Sequence, residues 1–161
     1  MAGKTKSINI NYTEYESFDD LTQDWQNLVK KAEEACETAY APYSNFKVGA
    51  ALELENGTII KGNNQENAAY PSGLCAERVA LFTAHSQYPD QKVKKITICA
   101  INNENKKTGV SPCGGCRQVM VEFSKNNNIE VLLKTKEGKF HLFTSALDLV
   151  PFNFNKKNLD G

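Results

Sequence analysis

This chain lacks what a membrane protein, a secreted protein or a nucleic-acid binder would show. No stretch approaches the ~20 consecutive apolar residues that a bilayer helix needs, so no membrane partner is expected. The opening Met1-Ala-Gly-Lys-Thr-Lys carries charge with no apolar run behind it, so a secretion signal is not expected and the cytoplasm is the expected compartment. An excess of one charge is missing too: Lys plus Arg and Asp plus Glu stand at 19 each. The lysines come in ones and twos (Lys30-Lys31, Lys94-Lys95, Lys106-Lys107, Lys156-Lys157), with no long basic stripe to follow a phosphate backbone. A small neutral substrate is therefore expected, and no nucleic-acid partner. Histidine is nearly absent; His85 and His141 match no ligand spacing and read as surface or packing residues. Internal repeats and low-complexity linkers are lacking, and 161 residues at 40% hydrophobic suit one domain with its own core.

What the chain does have is cysteine at informative spacing. Cys75 stands two residues before Glu77, and Cys113 and Cys116 form a C-x-x-C pair. In a chain without a secretion signal, an odd count of five cysteines points to metal or redox chemistry rather than a disulfide framework. Cys75, Cys113 and Cys116 read as three thiolate ligands for one zinc ion with a carboxylate beside it. Three protein ligands leave a position where water can bind and lose a proton near neutral pH, whereas structural zinc sites close with four. Cys75 and Cys113 fall at predicted helix starts, where the helix dipole and free N–H groups stabilise a thiolate. Cys116 lies one turn after Cys113, and Gly114-Gly115 keep the backbone between them uncrowded.

Three thiolates on a dication leave a net negative charge that blunts Lewis acidity, so a compensating cation is expected. Arg78, one turn after Cys75, is placed to donate hydrogen bonds to ligand sulfurs, with Gln118 helping to fix it. Glu77 is the candidate general acid and base, because burial in a closed pocket raises a carboxyl pKa toward a useful value. A redox dithiol or a non-catalytic zinc module would also use Cys113 and Cys116, but neither calls for Cys75-Ala-Glu. Cys36 and Cys99 sit on apolar stripes and read as small buried hydrophobes.

Periodicity and turn signals order the elements. Ser17 as N-cap with Asp20 opens an amphipathic helix to about Tyr40, ended by Ala41-Pro42. Lys47 to Leu54 and Thr58 to Lys61 form a hairpin around a two-residue Asn56-Gly57 turn with both residues at positive φ. After the irregular segment 63–73 come a helix from Cys75 to Ser86 and a strand from Lys94 to Ile101. A lysine- and asparagine-rich loop leads to a helix capped by Ser111 with Pro112 at its first position, running to about Lys125. Strands Ile129 to Lys134 and Lys139 to Phe143 turn around Glu137-Gly138, and a short helix spans Thr144 to Val150. The expected fold is α/β, a mixed sheet of about five strands with helices on both faces. Residues 1–17 are an N-terminal extension, either flexible or a short edge strand from Ile8, Ile10 and Tyr12, ahead of one domain over 18–161.

With these residues assembled, the chain resembles the cytidine deaminases of the small homotetrameric class with three cysteine ligands. The resemblance runs from about Leu28 to Phe154. Its motifs are Ala41-Pro-Tyr-Ser-Asn-Phe-Lys-Val-Gly-Ala50, Gly62-Asn-Asn-Gln-Glu-Asn67, Tyr70-Pro71, Cys75-Ala-Glu-Arg78 and Ser111-Pro-Cys-Gly-Gly-Cys-Arg-Gln118. It implies a three-layer α/β/α fold, one Zn2+ per chain, and hydrolytic deamination of cytidine and deoxycytidine in pyrimidine salvage, with Glu77 carrying the proton. It implies that Asn64 and Glu66 bind the ribose 3′-hydroxyl, so that a substrate lacking it leaves buried polar groups unpaired. Phe46 and Ala76 belong beside the nucleoside, and Tyr70 and Phe154 reach in from neighbouring subunits of a homotetramer with shared sites. Departures are Asn63, Ala69 and Ser72 in the pocket wall, and Phe152, which competes with Phe154 for the neighbouring site. The alternative substrate on the same scaffold is another aminopyrimidine nucleoside such as blasticidin S.

Overall fold

The computed structural model describes residues 3–124 and 128–159. Its elements are β1 (Thr13–Tyr15), α1 (Gln23–Glu37), β2 (Lys47–Leu54), β3 (Ile59–Asn63), α2 (Ala76–Gln87), β4 (Val93–Ile101), β5 (Lys107–Thr108), α3 (Gly114–Phe123), β6 (Glu130–Lys134) and β7 (Phe140–Phe143). Short 3-10 turns lie at Phe18–Asp20, Tyr70–Ser72, Ala146–Leu149 and Lys156–Asn158. The strands make one seven-stranded sheet in the order β1-β7-β6-β4-β2-β3, with β5 paired to β4 off that path. β4 and β6 are parallel, as a crossover through α3 requires; the other pairs are antiparallel.

Alternation along the strands sorts side chains into two cores. Ala50 and Leu52 of β2, Ile96 and Ile98 of β4, and Val131 and Leu133 of β6 pack with Ala80, Leu81 and Met120 of α2 and α3. Ala51, Cys99 and Leu132, one residue out of step, face the opposite side and meet Leu28, Val29, Ala32 and Cys36 of α1. The result is α1 on one face and α2 with α3 on the other. Cys36 and Cys99 are buried, and burial pushes their thiols up to about 11 and about 12, away from reactive thiolate.

The expected five strands are the middle of a wider sheet. β5 and β1 were not legible as strands because both are short and polar, held by their neighbours rather than by an apolar pattern. β1 lies at Thr13–Tyr15, after the Ile8 to Tyr12 alternation, and pairs with β7 while Lys139 bridges Glu14 and Glu16. The first helix starts later than expected. Ser17 and Asp20 do form a capping box, but it caps the 3-10 turn at Phe18–Asp20. Buried Leu21 is then extended, and α1 begins after Thr22 and ends at Glu37. The hairpin turn has Gly57 alone at positive φ (84°), Leu54 N donates to the Thr58 carbonyl and Gly57 N to the Leu54 carbonyl, both at 2.9 Å, so it is a three-residue loop, not the two-residue turn. The last expected helix is the 3-10 turn Ala146–Leu149. The expected end of α3 at Lys125 lies outside the described residues.

One close approach positions the site. A Cβ added to Gly62 on β3 would lie 2.4 Å from the Ala80 nitrogen and 2.5 Å from the Ala76 oxygen. Only glycine lets the first turns of α2 rest directly on the sheet. Among the described residues, no helix is long and apolar enough to cross a membrane.

Candidate active site

Two helix starts meet beside this contact. Cys75 is the N-cap of α2 and Cys113 the N-cap of α3, both with extended backbone, and neither side chain is used in a capping bond. The expected start of α3 at Ser111 is thus displaced by two residues, which brings the Cys113 thiol onto the helix end itself. Proline at 112 ends the extended approach instead of starting the helix. The Sγ atoms of Cys75, Cys113 and Cys116 lie within 4.8 Å of one another, the one such group among the described residues. Cys113 and Cys116 are 3.5 Å apart. Cys116 is buried, Cys75 half-buried and Cys113 exposed, so the group opens toward Cys113. An added Cβ at Gly114 meets nothing within 4 Å, so crowding does not explain that glycine.

The electrostatics favour an ionised Cys75. The Cys116 thiol donates to Cys75 and the Arg78 guanidinium adds a second hydrogen bond and its charge; together they overcome burial and pull Cys75 down to about 5. Cys116, holding the shared proton beside that thiolate and buried, is pushed up. Arg78 Nη2 lies 3.5 Å from Cys75 Sγ, and its Nε is buried without a partner. Gln118 Nε2 donates to the Phe154 carbonyl at 2.7 Å. Glu77 is 4% exposed, and burial raises its carboxyl pKa.

Glu77, Ala76, Cys75 and Cys113 line a cavity of about 550 Å³ whose other wall includes Asn64, Glu66 and Tyr70. Asn64 Oδ1 accepts from Val48 N at 2.8 Å and its Nδ2 donates to the Phe46 carbonyl at 2.9 Å. The Glu66 carboxylate accepts from the Ser44 hydroxyl and from Tyr43 N at 2.9 Å, and these bonds lower its pKa. Both side chains therefore hold backbone of the 43–48 segment while facing the cavity, a second task that the N-x-E spacing did not announce.

The remaining candidates spread outward. Phe46 lines an adjoining cavity that shares Val110 and Ser111 with the main one. Tyr70 stands at the rim, 78% exposed and edge-on to Tyr43 at 6.3 Å. Phe154 and Phe152 are 58% and 93% exposed and line neither cavity. Sequence reasoning missed Tyr43, Ser44, Val110 and Ser111 as wall residues, although Ser111 adjoins the C-x-x-C pair. It also gave no role to Arg117, whose bonds go to backbone carbonyls.

The chain was compared with known proteins. Residues 22–131 match the family described as cytidine and deoxycytidylate deaminase zinc-binding region. A cytidine deaminase of Halalkalibacterium halodurans is 41% identical over 85% of this chain and 98% of its own length. One from Sporosarcina psychrophila is 42% identical over 84% and 95%. Among solved structures, a cytidine deaminase from Burkholderia pseudomallei superposes with a TM-score of 0.70 at 41% identity, over 83% of this chain and all of that one. One from Mycobacterium tuberculosis gives 0.65 at 28%, over 83% and 99%. The donor set fits the zinc that this family's description names. Tetrahedral Zn–S bonds of ~2.3 Å place sulfurs about 3.8 Å apart, close to what the three Sγ atoms already show.

Proposed function

We propose that this chain, which belongs to the cytidine and deoxycytidylate deaminase zinc-binding family, catalyses zinc-dependent hydrolytic deamination of cytidine and deoxycytidine to uridine and deoxyuridine, a step of pyrimidine salvage. The observation that carries this reading is the buried Glu77 carboxyl facing the same cavity as Cys75 and Cys113.

Cys75, Cys113 and Cys116 would hold the ion, which would supply Lewis acidity for activating water. Glu77 would take a proton from the attacking water and deliver it to N3 of the cytosine ring, burial favouring its protonated form. Once the C4–O bond has formed, Glu77 would take the second proton, from the hydroxyl now on C4, and pass it to the amine, which leaves as ammonia as the C4–N bond breaks. Arg78 offsets the negative charge of the thiolates through Cys75. Asn64 and Glu66, already fixed by their backbone partners, meet the ribose hydroxyl without further ordering. Ala76 flanks the nucleoside from the cavity wall, and Phe46 is assigned to it from the adjoining cavity.

The same reading assigns the exposed Tyr70 and Phe154 to the sites of neighbouring subunits in a homotetramer. It takes 18–161 as the deaminase domain with 1–17 appended. The cytoplasm is the compartment, supported by five free cysteines, which a reducing environment preserves. Glu77→Gln tests the central assignment: zinc stays near one per chain while kcat falls ~10²–10⁴-fold, the usual share of a general acid-base group. Near-normal turnover by the zinc-loaded variant would refute the role.

A further inference from the structure

The first turn of α3 holds more than Cys116. Arg117 Nε donates to the Pro112 carbonyl at 2.9 Å, and its Nη1 donates to the Leu149 carbonyl at 3.1 Å. Pro112 immediately precedes Cys113 and has no N–H, so its carbonyl is the one backbone group by which that residue can be fastened. Cys113 itself is exposed and makes no capping bond. Leu149 ends the turn Ala146–Leu149, from which the chain runs to Phe154, whose carbonyl is held by the next residue on α3, Gln118. One helical turn thus grips the peptide entering a metal ligand and both ends of the segment carrying Phe152 and Phe154.

We infer that Arg117 is a positioning residue: its fork sets Cys113 in ligand geometry through the Pro112 carbonyl and ties that geometry to the C-terminal aromatic segment through Leu149. The inference rests on the three cysteines being a zinc centre. Its physical basis differs from that of Arg78, which contacts sulfur and acts by charge. Arg117 contacts two carbonyls and acts by holding position, a task suited to a planar guanidinium with several donors and poorly met by a single ammonium. Its side chain also lines a cavity of about 520 Å³, with Ile10, His141, Phe143 and Asp148, that meets the one proposed for the nucleoside at Ser111. A small cation can therefore reach the place a truncated side chain leaves.

The test is the rate of zinc transfer to a chromophoric chelator from the wild-type protein, Arg117→Ala and Arg117→Lys, each confirmed folded by circular dichroism. Release from Arg117→Ala is expected to be ~10–100-fold faster, the usual loss when the support of a ligand is removed, with Arg117→Lys between the two. Millimolar guanidinium should slow release from Arg117→Ala and leave the wild type unchanged; KM should rise along with any fall in kcat as the 150–154 segment loosens. A purely structural role predicts no response, because guanidinium at millimolar concentration does not measurably change the stability of a fold. Wild-type release rates in the folded variants overturn the inference. If Arg117→Ala does not fold, Arg117→Lys decides alone: wild-type release overturns, faster release supports. A wild-type protein that holds no zinc overturns the metal-centre reading itself, and this inference with it.

Discussion

Replacing Gly62 with alanine probes the contact that seats α2 on the sheet, and its consequence can be worked from distances. The new Cβ would lie 2.4 Å from the Ala80 nitrogen, 2.5 Å from the Ala76 oxygen and 2.9 Å from the Ala80 Cα, where ordinary contact begins near 3.4 Å. All three atoms belong to the helix backbone, so no side chain can swing away. The helix must retreat by roughly 1 Å, and overpacking of this kind costs about 1–3 kcal/mol. In a chain of this length, each kcal/mol lowers the melting midpoint by about 2–4 °C. The displaced turn carries Cys75, Ala76 and Glu77, and a ~1 Å misplacement of reacting groups can cost about 10²-fold in rate. Thermal melting and kcat/KM for cytidine, measured on zinc-quantified protein, should therefore fall together. Gly114→Ala is the stability contrast: its Cβ meets nothing within 4 Å, and at a helix start it should cost no stability. A Gly62→Ala protein with wild-type melting and wild-type kcat/KM would refute the argument that this contact seats the active-site turn.

Lys95 is 1% exposed and is held by Glu53 at 3.2 Å and by Asp24, with its ammonium 4.9 Å from the Trp25 ring centre. Removing one partner of a buried ion pair costs about 3–5 kcal/mol, so urea denaturation should show Glu53→Ala well below wild type, and Lys95→Met, which removes the charge itself, less affected. Lys95 also sets a pH dependence. Its hydrogen bond, helped by Thr22, holds the Asp24 carboxyl down to about 2 from 3.8. A carboxyl lowered by folding contributes stability above its unfolded value and loses it as pH falls through the folded one. The stability gap between wild type and Asp24→Asn should be constant near neutrality and shrink between about pH 4 and pH 2; a gap that stays flat across that window would contradict the assignment.

The site was more legible in the sequence than its supports were. Cys75, Glu77, Cys113 and Cys116 announce themselves because metal chemistry restricts residue type and spacing; Cys75, Glu77 and Cys113 line one cavity, and the buried Cys116 brings its sulfur within 4.8 Å of the other two. The Lys47–Leu54 strand and the helix after Cys75 follow from alternation and from a cap. The break at Leu21-Thr22 was hidden, since Ser17 and Asp20 supply a capping box whether the turn after them is 3-10 or α. The loop at Glu55-Asn56-Gly57 was misread because Asn-Gly fits both a two-residue turn and a three-residue loop, and only backbone geometry separates them. Strands β1 and β5 carry no apolar alternation of their own and form through pairing with β7 and β4, β1 with help from the Glu14 contacts to Lys139 and His141. Arg117 stood in the Ser111-to-Gln118 motif, but its bonds go to carbonyls, which every residue has, so its partners could not be read from the sequence.

The measurement that tests the account most directly is loss of cytosine-band absorbance when protein of known zinc content meets cytidine, with a chelator-treated sample and free cytosine as controls. The account predicts about one zinc per chain, turnover of cytidine, no turnover of cytosine, and loss of activity on chelation. Zinc-loaded protein that leaves cytidine and deoxycytidine untouched would contradict it.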